Sequence, residues 1–179
     1  PHSSRPDAAA PANPPHRRIR RDRRTVNRAL ILGVGNTVRS DDGVGVHIAR
    51  RFARAGTPEK VDVAHAGTSG LGMLDLVAGY DRLIIVDAID CGRPPGTILQ
   101  LGLDDLGETT TLNAVNPHQS DLVTILETGR RLGLEIPPDV SIVAVQIQDA
   151  TTFSERCSPA VEAAIDQACA VVLELVSSS

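Results

Sequence analysis

The sequence predicts an α/β fold in which a mostly parallel, twisted β-sheet is covered by helices on both faces, giving three layers. Short aliphatic runs, of which residues 83–86 are the clearest, are typical of strands buried on both faces. They alternate with segments whose apolar residues recur every three or four positions, as in amphipathic helices. The predicted order is β-α-β-α-β-β-α-β-α, and strands joined through helices pair in parallel.

A strand, a loop and a helix within residues 30–55 form the unit around which the chain is organised. The apolar residues 30–32 predict a buried strand, which the following glycines and Asn36 bring to an end. Three good acceptors for the free amides that open a helix come next: Ser40, Asp41 and Asp42. The predicted helix then has an apolar stripe of Val44, Ile48 and Phe52. Arg50 falls on the opposite, polar side of that helix.

Aliphatic runs and apolar residues at helical spacing, bounded by glycines and prolines, predict the remaining elements of the fold. In order, these are a strand at 61–66, a helix at 71–78, strands at 82–87 and 97–101, a helix from Pro117, a strand at 141–146 and a helix after Ser158. Proline at a first helical position favours a helix start, because the amide that it lacks has no partner there. The strand at 97–101 is expected antiparallel at an edge, and the largely polar residues 102–115 are expected to form a mobile loop.

Composition and charge predict one acidic domain behind a basic tail. The chain has 179 residues, of which 41% are hydrophobic and only 2% aromatic, so the core must be aliphatic. Residues 1–28 contain eight arginines and two aspartates and are expected to be disordered. Residues 29–179 contain ten basic and twenty acidic groups and are expected to form a single domain. Nucleic-acid binding by this acidic part is not expected.

The cysteines and the hydropathy pattern favour a cytoplasmic protein that does not enter membranes. Three cysteines without a paired spacing indicate thiols in a reducing compartment. No apolar run reaches the roughly 18 residues that a membrane helix needs.

The glycines of the first loop do not indicate a nucleotide site. Gly33 and Gly35 match the start of the dinucleotide fingerprint, but its third glycine position holds Val38, and no phosphate-loop lysine follows. Two aspartates where a pyrophosphate would lie are electrostatically unfavourable. A site for a cation or a substrate fits these residues better.

Three residues that follow strand ends are the candidates for catalysis and metal binding: Asp42, Asp87 and His118. Ligand sites of open α/β sheets lie at the carboxyl ends of the strands. Two carboxylates and one imidazole can bind a divalent ion and leave positions open for water or substrate. Each residue alone also has a structural explanation: a helix start for Asp42, a bond to a neighbouring amide for Asp87 and a solvated first turn for His118.

The other histidines of the predicted domain differ in what they offer. His65 lies near the end of the second strand, beside the glycine loop 67–70, and is a candidate substrate contact. His47 lies on the polar side of the first helix and is expected to be solvated.

Together these motifs resemble the signature of the nickel–iron hydrogenase maturation endopeptidases. The segments that carry the resemblance are Gly33-Val34-Gly35-Asn36, Asp41-Asp42-Gly43-Val44-Gly45, Gly67-Thr68-Ser69-Gly70, Ile84-Ile85-Val86-Asp87-Ala88 and Pro117-His118. The resemblance covers about residues 29–175. One departure concerns His65-Ala66, where family members often have Asp-Gly, and it leaves open which subclass of substrate is recognised.

The resemblance implies a twisted five-stranded sheet and removal of a C-terminal extension from a hydrogenase large-subunit precursor after nickel insertion. By position, it implies that Asp42, Asp87 and His118 contact the nickel that the substrate carries, or another divalent metal ion. The substrate contacts that we expect are Asn36, Asp41, His65, Gly67 and Thr68.

Our sequence-based hypothesis is therefore a cytoplasmic, nickel-dependent endopeptidase. Whether a metal-activated water attacks the peptide bond, or nickel mainly docks the substrate, stays open. The alternative is a non-catalytic nickel-binding maturation chaperone that uses the same three ligands. A nucleotide-binding regulatory module is a third hypothesis.

Overall fold

The computed structural model describes residues 27–67, 70–107 and 117–178, with the side chains of 106–107 and 117–121 excepted. The predicted basic tail, 1–28, lies outside this part of the chain except for its last two residues. Most of the predicted mobile loop, from residue 108 onward, also lies outside it.

Within the described residues the sheet has five strands in the order β2-β1-β3-β5-β4. Their bounds are β1 Ala29–Val34, β2 Val61–Ala66, β3 Arg82–Ile89, β4 Ile98–Gly102 and β5 Asp139–Gln146. β1 pairs in parallel with β2 and with β3, and β3 pairs in parallel with β5. β4 pairs antiparallel with β5 at the edge, as predicted. The mostly parallel sheet is thereby confirmed.

Helices cover both faces of the sheet, which confirms the three layers. The helices are α1 Val44–Ala55, α2 Leu74–Val77, α3 Leu103–Gly107, α4 Pro117–Arg131 and α5 Pro159–Ser177, with short 3-10 turns at Ser40–Gly43 and Leu71–Met73. Alternate residues of β3 face opposite layers: Ile84 packs with α1 and α5, and Ile85 packs with α2 and α4. Because both clusters are almost wholly aliphatic, burial of branched side chains drives the folding of both layers.

Two features of the fold differ from the prediction. β3 runs two residues past Asp87, so this carboxylate lies inside the strand. The start of the predicted mobile loop is the helix α3, whose Asp105 carboxylate accepts a hydrogen bond of 2.6 Å from the Gly102 amide. A helix of five residues is too short to show the periodicity that identifies longer helices.

Helix α1 lies directly against the sheet because glycines occupy the points of contact. A Cβ atom on Gly45 would lie 2.1 Å from the Val86 carbonyl oxygen and 2.4 Å from that of Val34. A Cβ atom on Gly33 would lie 2.2 Å from the Gly45 carbonyl oxygen. The glycines of this motif therefore serve close packing of helix on strand.

The Asp41 carboxylate joins three distant segments in the interior. Asp41 is fully buried, and its side chain accepts hydrogen bonds from the amides of Gln148 and Asp149, both at 2.9 Å. It also accepts bonds from the amide and the hydroxyl of Ser158, the residue that caps α5. The 3-10 turn before α1, the loop after β5 and the start of α5 are thus held by one side chain.

We expect Gly45→Ala to destabilise the protein by about 3 kcal/mol, because overpacking of this kind costs roughly 1–3 kcal/mol and backbone atoms cannot easily move aside. In a domain of this size, that loss lowers the melting temperature by roughly 10 °C. Gly72→Ala is the matched control, since its Cβ would have no neighbour within 4 Å. Equal melting temperatures for the two variants would contradict the assignment.

We expect Asp41→Asn to cost about 3 kcal/mol of unfolding free energy. The amide nitrogen replaces an acceptor with a donor, so a buried N–H or O–H loses its charged partner. Asp42→Asn should cost less than about 1 kcal/mol, since its carboxylate is only partly buried. Urea denaturation of both variants measures the difference, and similar losses would show that Asp41 is not the residue that holds these segments.

Candidate functional site

Asp42 lies in the loop that joins β1 to α1, at the carboxyl edge of the sheet. Gly35 has a φ of +133°, and a Cβ there would lie 1.8 Å from the Asp42 carbonyl oxygen. The Asn36 amide donates a hydrogen bond of 3.2 Å to the Asp42 carboxylate. The glycine therefore allows this loop to fold back so that residue 36 contacts residue 42.

Asp41 and Asp42 do not accept the hydrogen bonds from the first amides of α1 that the sequence predicts. Neither the 3-10 turn nor α1 has a side-chain hydrogen bond at its cap. Among the residues that the structure describes, the Asp42 carboxylate accepts one hydrogen bond, the one from Asn36. Asp42 thus keeps acceptor capacity that a substrate or a cation can use.

Asp87 is buried on β3, on the sheet face that α2 and α4 cover. Its side chain is 7% exposed and accepts a hydrogen bond of 2.8 Å from the Ala88 amide. Burial raises the pKa of Asp87 to about 8, the Ala88 hydrogen bond opposes this shift, and the charge of Asp42 adds to it. Asp87 therefore holds its proton at neutral pH in the free protein, and it senses Asp42 electrostatically.

Two carboxylates and one imidazole, those of Asp42, Asp87 and His118, are a set of ligands that suits a divalent cation, and His118 belongs to α4. Within the described side chains, which exclude that of His118, no three His, Cys, Asp or Glu residues are grouped closely enough to hold a metal. His118 is the second residue of α4, and α4 precedes β5, so its first turn lies at the carboxyl edge. A cation between Asp42 and Asp87 would offset both their repulsion and the burial of charge.

A cleft of about 460 Å³ opens beside the Asp42 loop. It is lined by Gly35, Asn36, Thr37, Val46, Arg50, His65 and Gly67. The structure thus brings together three of the five predicted substrate contacts, Asn36, His65 and Gly67. Thr68 lies outside the described residues.

The prediction that Asp41 contacts the substrate is wrong. Asp41 has no exposed surface, and its carboxylate already accepts four hydrogen bonds. His47 is a second correction, because it is half-buried rather than solvated and its Nε2 atom has no hydrogen-bond partner among the described residues. Burial, followed by the charge of Arg50, lowers the pKa of His47.

Among the described cleft residues that the sequence did not indicate, Arg50 is the charged one. Its position on the polar side of α1 indicated only solvent. Val46 and Arg50 both line the cleft and are four residues apart, so they share one helix face. The four-residue spacing of Val46 and Arg50, directly after the motif of residues 41–45, was the signal in the sequence that could have indicated Arg50.

We expect Asp87→Asn to remove a fall in stability between about pH 4 and pH 8. The unfolded Asp87 loses its proton near 3.8 and the folded one near 8, so a rising pH favours the unfolded state across this range. The measurement is the unfolding free energy of metal-free protein at pH 5 and pH 8. Asp104→Asn, an exposed carboxylate, is the control. If Asp87→Asn lost as much unfolding free energy between pH 5 and pH 8 as the wild type does, this assignment would be contradicted.

Comparison with known sequences identifies the family. The family model described as hydrogenase maturation protease matches residues 46–175, which include Asp87 and His118. The hydrogenase 2 maturation protease of Escherichia coli is 34% identical over 154 residues, covering 85% of this chain and 92% of that protein. The hydrogenase expression/formation protein HupD of Bradyrhizobium diazoefficiens is 31% identical, covering 83% of this chain and 79% of that protein.

Solved structures agree with this result. The hydrogenase maturating endopeptidase HybD from E. coli superposes with a TM-score of 0.72 at 33% identity, covering 83% of this chain and 91% of its own. The five-stranded sheet and the long sequence match together lead to one conclusion: this chain belongs to the hydrogenase maturation protease family.

Proposed function

We propose that this protein is an endopeptidase that removes a C-terminal extension from the large-subunit precursor of a nickel–iron hydrogenase. The observation that carries the proposal is the buried carboxyl group of Asp87: burial raises its pKa, the charge of Asp42 adds to this shift, and a cleft opens beside the loop that carries Asp42. A carboxyl group whose pKa is raised by burial and by a second carboxylate is a candidate functional group. Membership of a family of proteases makes peptide-bond cleavage the reaction that such a site supports best.

In this proposal Asp42, Asp87 and His118 bind the nickel that the precursor carries. A bound metal ion polarises a carbonyl group and lowers the pKa of a water molecule bound to it. Asp87 must release its proton when the metal-bearing precursor binds, because a carboxylic acid is a poor metal ligand. Nickel dependence follows: a precursor without nickel leaves Asp87 protonated and the site unengaged.

The redox state of the cysteines supports a cytoplasmic place of action. Cys91, Cys157 and Cys169 are all free thiols, as a reducing compartment favours. No helix in the described part of the chain combines the length and the apolar character needed to cross a membrane. We propose the precursor, rather than a nucleic acid, as the partner, because the folded part is acidic.

A nickel-binding chaperone would use the same ligands without cutting, and the relatives named as proteases favour cleavage over this alternative. The test incubates the full chain with nickel-loaded and with nickel-free precursor and follows precursor length by mass spectrometry. We expect shortening of the nickel-loaded precursor alone. Nickel binding without any change in length would establish the chaperone instead.

Asp42→Asn and His118→Ala assign the residues within this test. We expect each to reduce processing at least 100-fold, in line with the loss of a metal contact. Melting temperatures should stay within roughly 4 °C of the wild type, since about 1 kcal/mol corresponds to such a change here. Gln119→Ala is the control next to His118. Full processing by Asp42→Asn or by His118→Ala would remove that residue from the site.

A further inference from the structure

The cleft beside Asp42 lies where a substrate segment must pass if its peptide bond is to be cut there. Its walls come from the loop after β1, the first two turns of α1 and the end of the edge strand β2. Asn36 lines the cleft and also donates its amide to the Asp42 carboxylate. Asn36 therefore links the cleft to Asp42 of the proposed metal site.

Arg50 is the charged side chain among the described residues that line this cleft, and it is exposed to solvent. Within the described part of the chain, it forms no ion pair, whereas its neighbour Arg51 pairs with Asp166. Among the described residues, no acidic side chain lines the cleft. Partial burial, and then the positive charge of Arg50, lower the pKa of His65. Arg50 and His65 thus lie close together, and near neutral pH the guanidinium carries the positive charge while His65 is uncharged.

These groups match one ligand chemistry. A guanidinium binds a carboxylate through two parallel hydrogen bonds, and a neutral imidazole can donate a third. The cleft stands out electrostatically, because the domain around it has an excess of ten acidic groups. A guanidinium that has no ion-pair partner among the described residues, in such an acidic domain, would select a negatively charged segment.

We propose that this cleft binds an acidic side chain of the substrate's C-terminal extension, with Arg50 as its ion-pair partner and His65 as its hydrogen-bond partner. The inference rests on the proposed function and adds a substrate preference to it. The extension is the occupant because it adjoins the bond that is cut beside Asp42, and Asn36 joins that position to the cleft. A carboxylate at position 65 would instead pair with Arg50 and fill its binding capacity from within the protein.

The experiment measures kcat/KM for the full chain on two nickel-loaded precursors. One has the natural extension, and in the other every Asp and Glu of the extension is replaced by Asn or Gln. We expect the wild type to lose about tenfold on the amide precursor, mainly through KM, as loss of one ion pair at a binding site predicts. Arg50→Gln and His65→Asp should process both precursors at the slower rate.

Three further variants sharpen the test. Arg50→Lys should retain part of the preference, because it keeps the charge but not the paired geometry. Arg50→Glu should process an extension with Lys at the acidic positions faster than the natural one. Arg54→Gln is the matched control, since Arg54 is exposed on the same helix, as Arg50 is, but does not line the cleft. Melting temperatures show that each variant is folded.

The outcomes separate this inference from the proposed function. Equal rates of the wild type on both precursors, or an Arg50→Gln variant that keeps the wild-type preference, would overturn the cleft assignment. Processing of nickel-loaded precursor would still stand in that case. A wild-type protein that leaves the loaded precursor uncut would overturn the proposed function, and this inference with it.

Discussion

The contact of helix α1 with the carbonyl groups of β1 and β3 determines where Asp42 lies relative to Asp87. Gly45 lies against Val86, the residue directly before Asp87, so the contact fixes the start of α1 relative to that carboxylate. Asp42 belongs to the turn that leads into α1 and is carried with it. Because interiors are close-packed and resist compression, a shift of α1 would move one carboxylate and leave the other in place.

Asp41 and Asp42 are sequence neighbours with opposite surroundings. The carboxylate of Asp41 is saturated by donors from two distant segments, whereas that of Asp42 accepts one bond from within its own loop. The buried neighbour holds the turn still, and the partly exposed one keeps capacity for a ligand. A binding site needs ligand-contacting groups held by a rigid surrounding structure, and Asp41 gives Asp42 that support.

The sequence was informative wherever local pattern reports burial. Residues 83–86 predicted a central strand, and Pro117 and Pro159 predicted helix starts, because these signals act over a few residues. It failed where partners are remote. Nothing near Asp41 indicates Ser158 as its partner, and the polar side of α1 does not tell that the exposed Arg50 also lines a cleft. The protonation of Asp87 likewise depends on burial by elements distant in sequence.

The bonds of Asp41 also bear on when the protein becomes competent. A chain still on the ribosome can pair β1 with β3 once residue 89 has emerged, yet Asp41 finds its last donors only at residue 158. Domains often begin to fold during synthesis. In this one, the turn that carries Asp42 stays without its anchor until the segment leading into α5 has been made. The nascent chain can therefore form the central strand pairs before the turn that carries Asp42 is fixed in place.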